Sequence, residues 1–192
     1  MVRDTKKILL DKGLEILMHK GYNHTGIQEV LSAVGVPKGS FYHYFKSKHD
    51  FGMQILEHYG QQTEAKCQEI FEDPSATPLT RLKNFFTYGR EKMTANNFSG
   101  GCFIGNMAQE MGDLCPEFQT VLESKMVTMR GHFVTSLTEA KASGELKTDF
   151  PPEDLADFLI NSWHGALMRM KVAKSSRPLD VFTDAVFDRL VA

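Results

Sequence analysis

Apolar residues recur with the spacing of an α-helix along most of the chain, and breaks in that spacing divide it into segments. The first segment has one apolar face and ends at Gly21, a typical helix stop. The residues of that face are Leu10, Leu14, Leu17 and Met18. No segment shows the alternation of apolar and polar residues that is typical of a strand. The pattern therefore predicts an all-α fold.

The second and third segments are short and lie close together. Thr25, with Gln28 three residues later, has the spacing of a capping box and predicts the start of a helix that ends near Gly35. Pro37 suits the first position of a further helix over about residues 38–44, because a proline there sacrifices no hydrogen bond.

The remaining helices are longer. Ser47 predicts the cap of a fourth helix that continues to about Phe71. Prolines, glycines and a polar loop at residues 96–101 separate the helices that follow. These are predicted at about residues 79–93, 103–111, 116–143, 152–174 and 178–191. The chain is thus expected to form about nine helices.

Charge is distributed unevenly along the chain. The whole sequence has a formal net charge of −2, but residues 1–50 carry eight basic and five acidic side chains and four of the seven histidines. A basic N-terminal part joined to an acidic remainder suggests that only the former meets a polyanion such as DNA.

Several classes of protein are not favoured by the sequence. There is no uninterrupted apolar run of roughly 18 residues, and no apolar signal core follows the first seven residues, so we expect a cytoplasmic protein. Cys67, Cys102 and Cys115 lack the spacing of a zinc site or a disulfide framework and are expected to be thiols. Catalytic motifs such as GxSxG and HExxH are missing, so no enzyme, cofactor or metal is predicted.

The third helix is predicted to have two functional faces. Phe41, Tyr44 and Phe45 share one side and are expected in the core, whereas Lys38 and Tyr42 lie on the other side with Gly39 and His43. Two short helices joined by a tight glycine turn suit a helix-turn-helix, whose second helix enters the major groove of DNA.

Seven DNA contacts are predicted from this arrangement. Expected partners of phosphate groups are Thr25, Lys38, Tyr42 and Lys48. Residues expected to approach or read the bases are Gly39, Ser40 and His43. Taken singly, Tyr42 or His43 is equally compatible with an ordinary exposed helix position.

Two runs of residues together resemble a known DNA-binding domain. Gly21-Tyr22-Asn23-His24-Thr25 and the stretch Val-Gly-Val-Pro-Lys-Gly-Ser-Phe-Tyr-His-Tyr-Phe-Lys-Ser-Lys at 34–48 resemble the TetR family of repressors, whose pattern is GYxxT followed by AGVxKGxLYxHFxSKexL. The similarity covers about residues 4–57. It implies a homodimer whose recognition helices enter successive major grooves of near-palindromic double-stranded DNA, about 34 Å apart.

The resemblance also implies a domain organisation and a mode of dimerisation. A DNA-binding domain is predicted over residues 1–50, and a ligand-sensing and dimerisation domain over residues 51–192. Dimerisation is expected through the last two helices, whose apolar residues are Phe158, Leu159, Trp163, Leu167, Met170, Phe182, Val186, Phe187 and Leu190. Alternatively, these side chains close the core of a single chain.

The sensing part offers a candidate site around Cys102. This residue follows Ser99-Gly100-Gly101 at the start of a predicted helix, where the helix dipole lowers the pKa of a thiol. The surrounding segment resembles a TetR subgroup that responds to electrophiles and oxidants, in which a cysteine here and a lysine on the penultimate helix form the proposed sensor pair. Cys102 and Lys171 match those positions.

An adaptable apolar pocket for a small-molecule inducer is predicted from Phe103, Met107 and Trp163, although such residues equally form plain core. The favoured interpretation is a repressor released by an inducer or by modification of Cys102. Two alternatives stay open: a reversible ligand such as a small unsaturated acid, and a structural Cys102 with a solvated Lys171. Cys67 and Cys115 are expected to be bystanders, and activation instead of repression is not excluded.

Overall fold

The computed structural model describes residues 4–191, and within them the chain forms nine α-helices and no strand. This confirms the predicted all-α fold. The helices are α1 (Thr5–Lys20), α2 (Ile27–Val34), α3 (Lys38–Tyr44), α4 (Lys48–Phe71), α5 (Pro78–Ala95), α6 (Phe103–Met111), α7 (Pro116–Ala142), α8 (Pro152–Ala173) and α9 (Arg177–Ala185), and a π-helical turn over Val186–Leu190 follows. No helix within residues 4–191 has the length and apolar character needed to cross a bilayer.

The chain divides into two compact units. The first combines the part up to Gln62 with Phe103–Glu123, and the second combines Thr63–Cys102 with the part from Ser124 onward. The first unit therefore contains α6 and the start of α7 together with the N-terminal helices, and the sequence did not predict this grouping. The functional boundary at residue 50 remains a prediction.

The core of the first unit includes the apolar faces of α1 to α4. Phe41, Phe45 and Phe51 are nearly inaccessible, and their ring centroids lie 4.7–5.1 Å apart in tilted and edge-to-face contacts. Gly13 of α1 allows close packing, because a Cβ atom there would collide with Phe51 and Ile55 of α4. The short helices are thus held mainly by aromatic packing.

The start of α2 differs from the prediction. Gly26 occupies the N-cap position and provides no side-chain cap, so the predicted capping box of Thr25 and Gln28 is wrong. The Thr25 side chain is buried, and its hydroxyl donates a 2.7 Å hydrogen bond to the Gly21 carbonyl. A buried hydroxyl without a hydrogen bond is costly, so the Thr25 side chain bonds to the Gly21 carbonyl rather than capping α2. Gly35 ends α2 in the left-handed conformation, at φ 73°.

The core of the second unit is centred on an aromatic cluster. Phe86 of α5 is fully buried, and its ring lies 4.8–5.6 Å from those of Phe133, Trp163 and Phe182. Gly89 lies one turn further along α5, where a Cβ atom would come within 2.8 Å of the Trp163 ring. The cluster therefore joins α5, α7, α8 and α9 without room for an added methyl group.

Most of the apolar residues assigned to the dimer interface lie instead in this core. Those that are buried are Leu159, Trp163, Leu167, Met170, Phe182 and Val186. Phe187 and Leu190 pack partly buried against the same core, and only Phe158 is exposed. The large apolar side chains of α8 and α9 that are exposed are Phe158, Met168, Val172 and Val181. Most of the apolar residues that were predicted to contact a partner chain therefore form the core of a single chain.

Replacement of Phe86 by alanine tests the importance of the aromatic cluster. Phe86→Ala is expected to lower the free energy of unfolding by about 3–5 kcal/mol, since it removes a buried ring and leaves a cavity. Urea denaturation followed by circular dichroism measures the change. Tyr88→Ala, on the exposed side of the same helix, is the control and should cost less than about 1 kcal/mol. Equal losses in both variants would contradict the assignment.

Candidate functional site

The predicted DNA contacts on α3 lie on its exposed face. Lys38, Gly39 and His43 are exposed, Tyr42 is 52% exposed, and Ser40 is partly exposed. A Cβ atom at Gly39 would meet nothing within 4 Å, so the backbone is open to close approach. Because the opposite face is anchored by the buried ring of Phe41, α3 presents its polar side chains as a fixed set.

A shallow groove runs beside this face. It is bordered by the α1–α2 loop, by α3 and by the first turns of α2 and α4, and its lining residues are Asn23, His24, Thr25, Gly26, Ile27, Gln28, Lys38, Tyr42 and Lys48. Backbone N–H groups at a helix start and lysine ammonium groups both favour phosphate oxygens. Three lining residues were not predicted as DNA contacts. Asn23 and His24 fill the variable positions of the GYxxT motif, and Gln28 lies in the first turn of α2.

Lys48 has a structural role in addition to its place in this groove. Its ammonium lies 3.3 Å from the carbonyl oxygen of Asn23 and 4.7 Å from the centre of the Tyr22 ring. Burial lowers the pKa of Lys48, and the nearby charge of Glu110 acts in the opposite direction. The lysine therefore holds the α1–α2 loop against the start of α4.

Glu110, near the end of α6, also binds the α1–α2 loop. Its two carboxylate oxygens accept hydrogen bonds from the backbone N–H groups of Tyr22 (3.2 Å) and Asn23 (3.0 Å). Gly21, at φ 83°, brings the backbone close, because a Cβ atom there would collide with the carboxylate. Nothing in the sequence indicated this contact, which joins residues 88 positions apart.

The loop before Cys102 has an unusual backbone. Asn97 and Phe98 adopt left-handed conformations at φ 51° and 56°, and Gly100 and Gly101 follow at 84° and 85°. The left-handed region costs a residue with a Cβ atom about 1–2 kcal/mol. The loop at residues 96–101 is confirmed, and it reaches Cys102, directly before α6, in a strained conformation.

Cys102 is paired with a histidine that the sequence did not single out. A hydrogen bond with the Cys102 side chain, together with the charge of its thiolate, raises the pKa of His164 on α8, whereas burial acts in the opposite direction. In general, an imidazolium next to a cysteine favours the thiolate form of that cysteine. The pair is therefore suited to present a nucleophilic sulfur.

The other predicted sensing residues are divided between the two units. Phe103 and Met107 are buried in the first unit, and Trp163 is part of the aromatic cluster of the second. Lys171 is partly buried on α8, two turns beyond His164. Cys67 is buried, and burial raises the pKa of its thiol to about 12, which makes it unreactive near neutral pH.

Comparison with known proteins gives matches over nearly the whole chain. Transcriptional regulator AcuR of Cereibacter sphaeroides is 40% identical over 91% of this chain and 80% of its own length. The HTH-type transcriptional repressor DhaR of Mycobacterium sp. strain GP1 is 35% identical over 95% and 90%, respectively. The crystal structure of Escherichia coli NemR in its reduced form is 25% identical and superposes with a TM-score of 0.86, over 99% of this chain and 98% of that one.

Two family models match separate parts of the sequence. The model of bacterial regulatory proteins of the tetR family matches residues 9–51, which include α2 and α3. The model of the tetracyclin repressor-like C-terminal domain matches residues 78–186, more than half of the chain. The chain therefore belongs to the TetR family and is a DNA-binding transcriptional repressor.

Proposed function

We propose that two copies of this chain bind a near-palindromic operator through the groove and the exposed face of α3, and release it when Cys102 is modified by an electrophile. The observation that carries this proposal is the hydrogen bond between Cys102 and His164, next to a strained loop. The existence of a reduced form of the related NemR supports a response based on thiol chemistry.

The chemistry at Cys102 requires only this chain and an electrophile. The Cys102 sulfur adds to the electrophilic carbon of an activated alkene, a carbon–sulfur bond replaces the alkene π bond, and a proton completes the neighbouring carbon. Protonated His164 stabilises the thiolate before the addition and can supply that proton. The added group enlarges a side chain that is packed partly against a close-packed core.

The chain sequence gives a direct route from Cys102 to the DNA-binding helices. Cys102 immediately precedes α6, and the far end of α6 carries Glu110, which holds Tyr22 and Asn23 of the α1–α2 loop. That loop borders the groove. A displacement of α6 that starts at Cys102 would therefore move or release the loop, and operator affinity would fall.

Dimerisation is proposed through exposed apolar positions of α8 and α9. Phe158, Met168 and Val172 lie on α8, and Val181 lies on α9; each is more than half exposed. Gly165 lies in the same stretch of α8, and a Cβ atom there would meet nothing within 4 Å. Large apolar side chains around a glycine suit close packing of two helices from different chains.

Replacement of Lys38 tests the DNA-binding surface. Lys38→Ala is expected to weaken binding to the DNA upstream of the gene by about tenfold or more, because both copies in the dimer lose a phosphate contact. Fluorescence anisotropy at several salt concentrations should show a dependence on log salt reduced by about two. Lys12→Ala, a charge-matched change at a lysine paired with Glu15, is the control and should leave both quantities unchanged. An unchanged salt dependence in Lys38→Ala would contradict the assignment.

Alkylation tests the role of Cys102. N-ethylmaleimide is expected to abolish operator binding by the unmodified protein and by Cys115→Ser, but not by Cys102→Ser. His164→Gln should slow alkylation of Cys102 several-fold at pH 7, because it removes the imidazolium that favours the thiolate. Mass spectrometry of digested protein measures the modification rate at each cysteine.

A different result would redirect the search for the inducer. If alkylated protein carrying a maleimide on Cys102 still binds the operator, modification of this residue is not the trigger. A reversible ligand, such as a small unsaturated acid, would then be tested by adding such acids to the same anisotropy assay.

Replacement of Glu110 separates sensing from transmission. Glu110→Gln removes the charge and at least one of the two backbone hydrogen bonds, so operator affinity is expected to fall several-fold while the alkylation rate of Cys102 stays unchanged. Glu123→Gln, at an exposed position of α7, is the matched control. A change in alkylation rate without a change in operator affinity would contradict the proposed route.

A further inference from the structure

A second group of reactive side chains lies in the first unit, apart from Cys102. His49 is in the first turn of α4, Cys115 directly precedes α7, and Glu117 is in the first turn of α7. One potential ligand atom from each residue lies within 4.8 Å of the other two. His49 and Cys115 are 66 positions apart in the chain, so no motif in the sequence could reveal the group.

The arrangement of the three side chains is that of metal ligands. The Cys115 sulfur lies 3.5 Å from Nε2 of His49 and 3.1 Å from an oxygen of Glu117. Zinc with bonds of about 2.3 Å to sulfur and about 2.0 Å to nitrogen, at a tetrahedral angle, separates these two ligand atoms by about 3.5 Å. The observed distance between sulfur and nitrogen already fits, and an oxygen of the exposed Glu117 carboxylate lies within 4.8 Å of both other ligand atoms.

A catalytic arrangement fits the same residues less well. In a nucleophilic triad the carboxylate orients the histidine from the side opposite the nucleophile. Here both His49 and Glu117 contact the sulfur, so the three groups converge on one region. Convergent thiolate, imidazole and carboxylate ligands suit a borderline-soft divalent cation.

The surroundings hold the ligands in place and leave access from solvent. The ring of His49 packs edge-on against buried Phe118, with ring centroids 5.1 Å apart. The backbone N–H of Cys115 donates to the Met111 carbonyl, and the Cys115 carbonyl accepts from Gln119. His49 and Glu117 are exposed and Cys115 is partly exposed, so a cation and a water molecule as fourth ligand can reach the site.

We propose that His49, Cys115 and Glu117 form a binding site for Zn²⁺ or a similar thiophilic divalent cation. Binding exchanges the thiol proton of Cys115, which passes to solvent, for a sulfur–metal bond. The bound cation joins the first turn of α4 to the first turn of α7 and stabilises the first unit. Cys115 is then a ligand rather than the bystander that the sequence suggested.

Cobalt provides a spectroscopic test on the metal-free, full-length protein. Co²⁺ is expected to bind at one equivalent per chain and to produce a thiolate-to-cobalt charge-transfer band, which Zn²⁺ removes by displacement. Cys115→Ser should abolish the band, whereas the matched Cys102→Ser and Cys67→Ser should retain it. His49→Gln and Glu117→Gln, at exposed positions, should each weaken Zn²⁺ binding by at least about tenfold.

The proposal fails if Co²⁺ gives no charge-transfer band, or if the band persists in Cys115→Ser. It also fails if neither His49→Gln nor Glu117→Gln changes Zn²⁺ affinity in a competition assay with a chromophoric chelator. Circular dichroism confirms that each variant is folded. If Cys115→Ser does not fold, the two exposed variants decide the outcome by themselves.

Discussion

The orientation of α3 depends on a small number of buried aromatic contacts. Phe41 and Phe45 pack against Phe51 of α4, and these contacts leave α3 only one exposed face. A helix of seven residues is too short to be stable alone, so its position is set by tertiary packing. The exposed side chains of α3, which are proposed to contact DNA, are thus positioned by buried residues on the opposite side of the same helix.

The α1–α2 loop is held by hydrogen bonds to charged side chains rather than by aromatic packing. The backbone groups of a loop lack the regular hydrogen-bond partners of a helix. In the α1–α2 loop, Glu110 accepts hydrogen bonds from two backbone N–H groups, and Lys48 donates to one backbone carbonyl. Their contacts are few and partly exposed, so they can be broken at lower cost than the aromatic core. The structure therefore combines a firmly packed α3 with a loop whose polar contacts break at lower cost.

The sequence predicted the helices better than it predicted the contacts between them. Helical spacing and the breaks at proline and glycine located α3 and α4, because those signals are local. The exposed face of α3 also follows from local spacing. Contacts of Glu110 with Tyr22, of Cys102 with His164, and of His49 with Cys115 join distant parts of the chain, and no local pattern encodes them. The capping box was misjudged because a buried hydroxyl finds its partner within the tertiary structure, in the Gly21 carbonyl.

The position of Trp163 gives the protein an internal optical probe. It is the single tryptophan of the sequence, it is almost fully buried between Phe86 and Phe182, and the next residue is His164. Indole emission responds to the polarity and charge of its immediate surroundings. All tryptophan fluorescence of the chain therefore originates beside the histidine that contacts Cys102, and events at that thiol can be followed by light emission without any attached label.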